Sequence, residues 1–164
     1  MSAKQLIELL EKHVKLHKGL LDLANKKTEV LKKGDMEALS EMMKEEQKYI
    51  AAIKQIEKER ILAVEKIISA LGHTQQEPTL TACIELVNEP ERSALERLRD
   101  NLAVVVAELK NINELNQQLL HQSLQFVNMT LDMIMPQPKE MNYRKPNMAT
   151  SSYEGSSSLF DSKA

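Results

Sequence analysis

The chain has 164 residues, 42% of them hydrophobic and 28% charged, with 22 Lys and Arg against 24 Asp and Glu. That is one domain's worth of chain with no basic excess to attract nucleic acid, so no nucleic-acid partner is expected. Aromatic residues at 3%, no Trp and four Gly exclude a turn-rich β-sandwich, and the supply of Ala, Glu, Lys, Leu and Met predicts an all-α fold.

No run reaches the roughly 18 apolar residues of a membrane span, and the N-terminal MSAKQLIELLEK is amphipathic rather than a signal sequence. No stable membrane insertion is therefore expected. Cys83 is the single cysteine, so neither a disulfide nor a thiolate-rich metal site can form within one chain, and a reducing, cytoplasmic location fits. Charge is segregated. Residues 1–34 hold eight Lys against four acidic residues, a net of +4, and residues 72–138 carry a net of −5. Opposite-sign segments suit antiparallel packing, although surface pairs contribute only about 0–1 kcal/mol each.

The first helix is predicted from Ala3 to Lys33. Ile7, Leu10, Val14, His17, Leu21, Ala24, Thr28 and Leu31 alternate spacings of three and four, the signature of a coiled-coil seam, with His17, Ala24 and Thr28 as weak members. Lys32 and Lys33 suit a helix C-terminus, Gly34 a left-handed cap and Asp35 the N-cap of the next helix, which together predict a tight helical hairpin. The second helix is predicted over Met36–Leu71, with a stripe of Leu39, Met43, Ile50, Ile53, Ile61, Val64, Ile67, Ile68 and Leu71. Glu46 and Glu57 interrupt that stripe, Ile56 drifts off it, and Gly72 ends the helix.

A polar connector, His73–Pro78, precedes a short helix that Thr79 or Thr81 can cap. It is expected to fold over one end of the hairpin with Cys83, Ile84 and Val87 as a plug. Asn88-Glu89-Pro90 then breaks the chain. The last helix is predicted from Pro90 or Glu91 to Ile134 or Met135. Up to Ile112 it carries one apolar seam: Leu95, Leu98, Leu102, Val105, Leu109 and Ile112. Pro136 and Pro138 end it. Residues 136–164, rich in Ser and Pro and without periodicity, are expected to be a disordered, solvated tail, with incidental apolar residues favoured over a short docking motif at Leu159-Phe160-Asp161.

Within that last helix, Leu115–Leu131 is 17 residues without a charge, bounded by Glu114 and Asp132. On a wheel of about 100° per residue, Leu119, Leu120, Leu124, Phe126, Val127, Leu131, Met133 and Ile134 fill an arc of roughly 180°. Two tracks share the arc. Leu119, Phe126 and Met133 continue the inward seam, and Leu120, Leu124, Val127, Leu131 and Ile134 form a second track facing outward. Asn116, Ser123 and Thr130 sit at the heptad slots between them. The hairpin helices, one weakly apolar and one with a single stripe, leave the second track few internal clients, which weighs against its burial within the bundle. An external partner, self or foreign, is expected.

No catalytic constellation is legible, so an enzyme is not expected and no cofactor or metal is implied. His13 and His17 lie four apart but lack a third ligand at matching spacing, and seam or surface histidines are the favoured reading. The four glycines are scattered and form no phosphate loop.

The pattern Asn113-x-x-Asn116-x-x-Leu119-Leu120-x-x-Ser123-Leu124-x-Phe126-Val127, followed by Leu131, resembles the C-terminal helix signature of the FlgN family of bacterial flagellar export chaperones. The resemblance extends to the Glu89-Pro90-Glu91-Arg92 break and, more loosely, to the order of elements over residues 1–135. The tail looks similar to those of such proteins in Gram-positive bacteria. This resemblance implies a cytoplasmic, non-enzymatic helical chaperone domain at 1–135. Such a chaperone binds the C-terminal segment of flagellar hook-associated proteins, prevents premature polymerisation and delivers them to the flagellar export apparatus. The matching positions Asn116, Leu119, Leu120, Ser123, Leu124, Phe126 and Val127 are carried over as partner-binding, and the wheel adds Leu131 and Ile134. The competing expectation is a self-associating coiled coil, a structural or adaptor protein using the second track as its seam. A weak homodimer is compatible with either.

Overall fold

A computed structural model describes residues 2–135, and the expectations placed on residues 136–164, the tail and its Leu159-Phe160-Asp161 motif, lie outside the described residues. Among the described residues there are four helices: α1 (Ala3–Lys33), α2 (Met36–Ala70), α3 (Leu80–Leu86) and α4 (Glu91–Ile134). Among the described residues no helix is long and apolar enough to cross a membrane. The chain divides into two compact units, Met1–Phe126 and Val127–Ala164, so α4 begins in the first and ends in the second.

In the first unit, local chemistry sets each helix boundary. The Ser2 hydroxyl accepts from the Gln5 amide while the Gln5 side chain accepts from the Ser2 amide, a complete capping box at the start of α1. Gly34 ends α1 at φ 70°, a left-handed conformation that a Cβ disfavours, and Asp35 Oδ1 accepts the Ala38 amide at 3.0 Å to begin α2. Thr79, one of the two proposed caps, accepts the Ala82 amide and starts α3. The Glu89 carboxylate accepts both the amide and the hydroxyl of Ser93 at the entry to α4.

α1 and α2 pack closely as a hairpin. At its open end, Leu6, Leu10, Val64, Ile68, Leu95 and Leu98 bury together with Cys83 and Ile84 of α3, and Val87 packs half-buried against them. The short helix is the expected plug. Each large side chain in that cluster contributes about 1.5–3 kcal/mol by leaving water. Further along, Leu20, Leu23, Ala24 and Leu109 form a second cluster flanked by Tyr49, Ile53 and Ile112. α4 therefore runs parallel to α1, with Leu95 near its start and Leu109 beside its middle.

Two expectations about the hairpin are corrected. α1 is not a weak single seam: it buries eleven residues, including Leu6, Leu9, Leu20 and Leu23 from outside the predicted line, because it lies between α2 and α4. The stripe on α2 also differs from its prediction. Ile56, set aside as drifting, packs on the first cluster, whereas Met43 and Ile61 are exposed. A helix has about 3.6 residues per turn, so over about ten turns the buried face moves across a strict three-four stripe.

The interruptions in the α2 stripe prove to be polar contacts. Glu46 pairs with Lys27 across the hairpin at 3.1 Å. Glu57 accepts from Nε and Nη2 of Arg60 and lies 3.0 Å from Nε2 of His13 on α1. His13 and His17 are buried in the seam with their rings stacked at 5.5 Å, and Nδ1 of His17 donates to the His13 carbonyl at 2.8 Å. Among the described residues no group of three His, Cys, Asp or Glu gathers to hold a metal. Burial of its ring lowers the His17 pKa below its ordinary 6.5, opposed by the bond to the His13 carbonyl and lowered further by His13 itself. For Glu57 burial alone would raise the pKa, but the bonds from Arg60 and His13 prevail and hold it at about 2.

Candidate partner-binding site

Asn116 anchors α4 on the hairpin. It continues the seam of Val105, Leu109 and Ile112, four residues beyond the last of them, and is 3% exposed. The Asn116 Nδ2 donates to the Ala24 carbonyl at 2.9 Å, and its Oδ1 accepts from the Thr28 hydroxyl, which also lies 3.2 Å from the Ala24 carbonyl. All three groups are buried and satisfied, so the bond set ties one turn of α1 to one turn of α4.

The Thr28–Asn116 pair also fixes the offset between the two helices. The residues are 88 apart in sequence on parallel helices, and α1 stops at Lys33. By that offset the hairpin ends level with about His121. No further turn of α1 exists to set against Ser123–Phe126, and the exposures change accordingly. Leu119, Leu120 and Ser123 are half-buried, and Ser123 spends its hydroxyl on its own Leu119 carbonyl at 3.0 Å. Leu124 is 55% exposed and Phe126 66%.

In the second unit, Val127 is 51% and Met133 80% exposed, and Met129, Leu131, Ile134 and Met135 are exposed as well. Thr130 is half-buried.

The expected division of the two tracks is therefore corrected. Phe126 and Met133, expected to continue the inward seam, are exposed, whereas Leu120 of the track expected to face outward is half-buried. The polar heptad slots Asn116, Ser123 and Thr130, read as dividers, are the least exposed positions of their turns. Asn116 itself is committed inside the bundle. Sequence reasoning missed its partner Thr28, although a hydroxyl and an amide at seam positions of two helices are a legible signal.

What remains at the surface is apolar and neutral. From Leu115 to Leu131 no Asp, Glu, Lys or Arg occurs, and the polar residues there are amides, hydroxyls and one imidazole, with Gln125 Nε2 donating to Nε2 of His121 at 3.1 Å. Such a face can leave water without stripping an ion of its hydration, which would cost far more than burying a hydrogen-bonded amide. Leu124, Val127, Leu131 and Ile134 recur at spacings of three and four, the anchor spacing of helix-in-groove recognition.

The profile of the FlgN protein family matches residues 1–151. A curated relative, the uncharacterized protein YvyG of Bacillus subtilis strain 168, is 41% identical over 164 residues, with all of both chains covered. No solved structure matches.

Proposed function

The chain belongs to the FlgN family of flagellar export chaperones, a non-catalytic family, and we propose that it holds the C-terminal segment of hook-associated proteins in the cytoplasm. Holding that segment keeps the subunit from polymerising and leaves it ready for the export apparatus. The observation that carries this reading is the exposure of Leu124 and Phe126 in the first unit and of Val127 and Leu131 in the second, all within the charge-free run Leu115–Leu131.

Contact with the client falls to Leu119, Leu120, Ser123, Leu124, Phe126, Val127, Leu131 and Ile134. Asn116, buried against Thr28 and Ala24, serves by positioning α4. Burying four or five of the exposed apolar side chains contributes about 1.5–3 kcal/mol each, against an association cost of about 4–15 kcal/mol. Micromolar affinity follows without any salt bridge, and it is accordingly insensitive to ionic strength.

The test is Leu124→Glu with Val127→Glu, both at exposed positions, followed by circular dichroism and titration with a hook-associated protein. Loss of binding with helicity intact supports the assignment. Retained binding with helicity intact removes this face from the function. Light scattering on the free chain addresses the self-associating coiled coil: a stable oligomer indifferent to the hook-associated protein favours that rival.

A further inference from the structure

Resting on the client-binding reading of α4, we propose that residues 136–164 form an internal ligand for the α4 face of Val127, Leu131 and Ile134, competing with the client for it. These three side chains lie at spacings of four and three on one side of the helix, all exposed, in a stretch whose one charge is Asp132. A second copy is present only at micromolar concentration, whereas a tethered segment is present at about millimolar effective concentration and so occupies this face first.

The tail has the composition to serve. Pro136 and Pro138 follow the described end of α4 in sequence. The tail then carries two stretches without charge, Pro146–Tyr153 and Gly155–Phe160, containing Met148, Tyr153, Leu159 and Phe160. These match a face that is itself nearly neutral. Reach is sufficient: the chain between Ile134 and Leu159 can extend up to about 3.3 Å per residue, and Val127 lies only about 10 Å back along the helix from Ile134. A segment binding with an intrinsic dissociation constant of about 0.1–0.5 mM, held at about 1 mM, weakens the client's apparent affinity about 3- to 10-fold.

The experiment uses the full chain. A nitroxide is placed on Ser162→Cys, Cys83 being fully buried in the core and protected from the reagent. Amide broadening is expected to concentrate on Val127–Ile134, to survive dilution with unlabelled chain, and to vanish in Leu159→Ser with Phe160→Ser. Broadening that is absent from this face, or that ignores the double substitution, overturns the proposal; so does broadening that appears only between chains. In a second arm, a synthetic peptide from the C-terminus of a hook-associated protein is titrated by calorimetry. The double variant is expected to bind it 3- to 10-fold more tightly, and unchanged affinity overturns the competition. If the peptide binds neither chain, the client reading fails while the spin-label arm still decides whether the tail docks.

Discussion

The buried Thr28–Asn116 contact gives the sharpest quantitative expectation. Thr28→Val removes the hydroxyl and leaves Asn116 Oδ1 buried without its donor, a loss of about 1–3 kcal/mol. Asn116→Leu removes both bonds that the amide makes to α1, but the Thr28 hydroxyl retains the Ala24 carbonyl and the new side chain gains apolar burial. That single change is expected to cost about 1 kcal/mol or less. With both substitutions together no side-chain polar group is stranded, so the double variant is expected to return close to the parent. The coupling in the cycle is then about 1–4 kcal/mol, outside the roughly 0.5 kcal/mol within which independent sites add. Urea unfolding followed by circular dichroism measures all four chains. Additive losses would refute the claim that the two side chains act as one buried unit. A polar seam position also specifies register at some cost in stability, so the doubly apolar chain is expected to keep its midpoint while protecting the α4 amides around residue 116 less well in hydrogen exchange.

Stability should fall with acid in two stages. The lowered pKa of His17 means that the unfolded chain takes up the proton first, so its contribution is complete above about pH 6.5 and declines below it. Glu57, held at about 2 against an ordinary 4.5, contributes above that ordinary value and loses its contribution as pH falls towards 2. Thermal melts across this range are expected to show His17→Asn flattening the first stage and Glu57→Gln the second; profiles unchanged by either would contradict the assignment. Gly34→Ala places a Cβ at φ 70° and is expected to destabilise by about 1–2 kcal/mol in urea. Ile84→Ala empties the plug over the hairpin's open end and should cost about 2–5 kcal/mol. Removing residues 139–164 is expected to leave the thermal midpoint of the helical domain nearly unchanged, with a large drop showing that the tail contributes to its stability.

The helix boundaries were legible in the sequence because they depend on local chemistry. Gly34, Asp35 and Thr79 act within one turn of themselves, and a proline constrains its own residue and the one before it. The charge-free stretch was legible too, since it is a property of composition. Which side chains face in was not. Assigning Phe126 to the seam assumed that a hairpin would still be beside it, and a heptad pattern carries no information about where its partner ends. That was decided by the offset between α1 and α4, set through Thr28 and Asn116 and by the clusters around Leu10 and Leu23. Burial is a relation between two segments, so the sequence of α4 alone specified an apolar face, and only the packed arrangement of α1 beside it determined how much of that face stays in water.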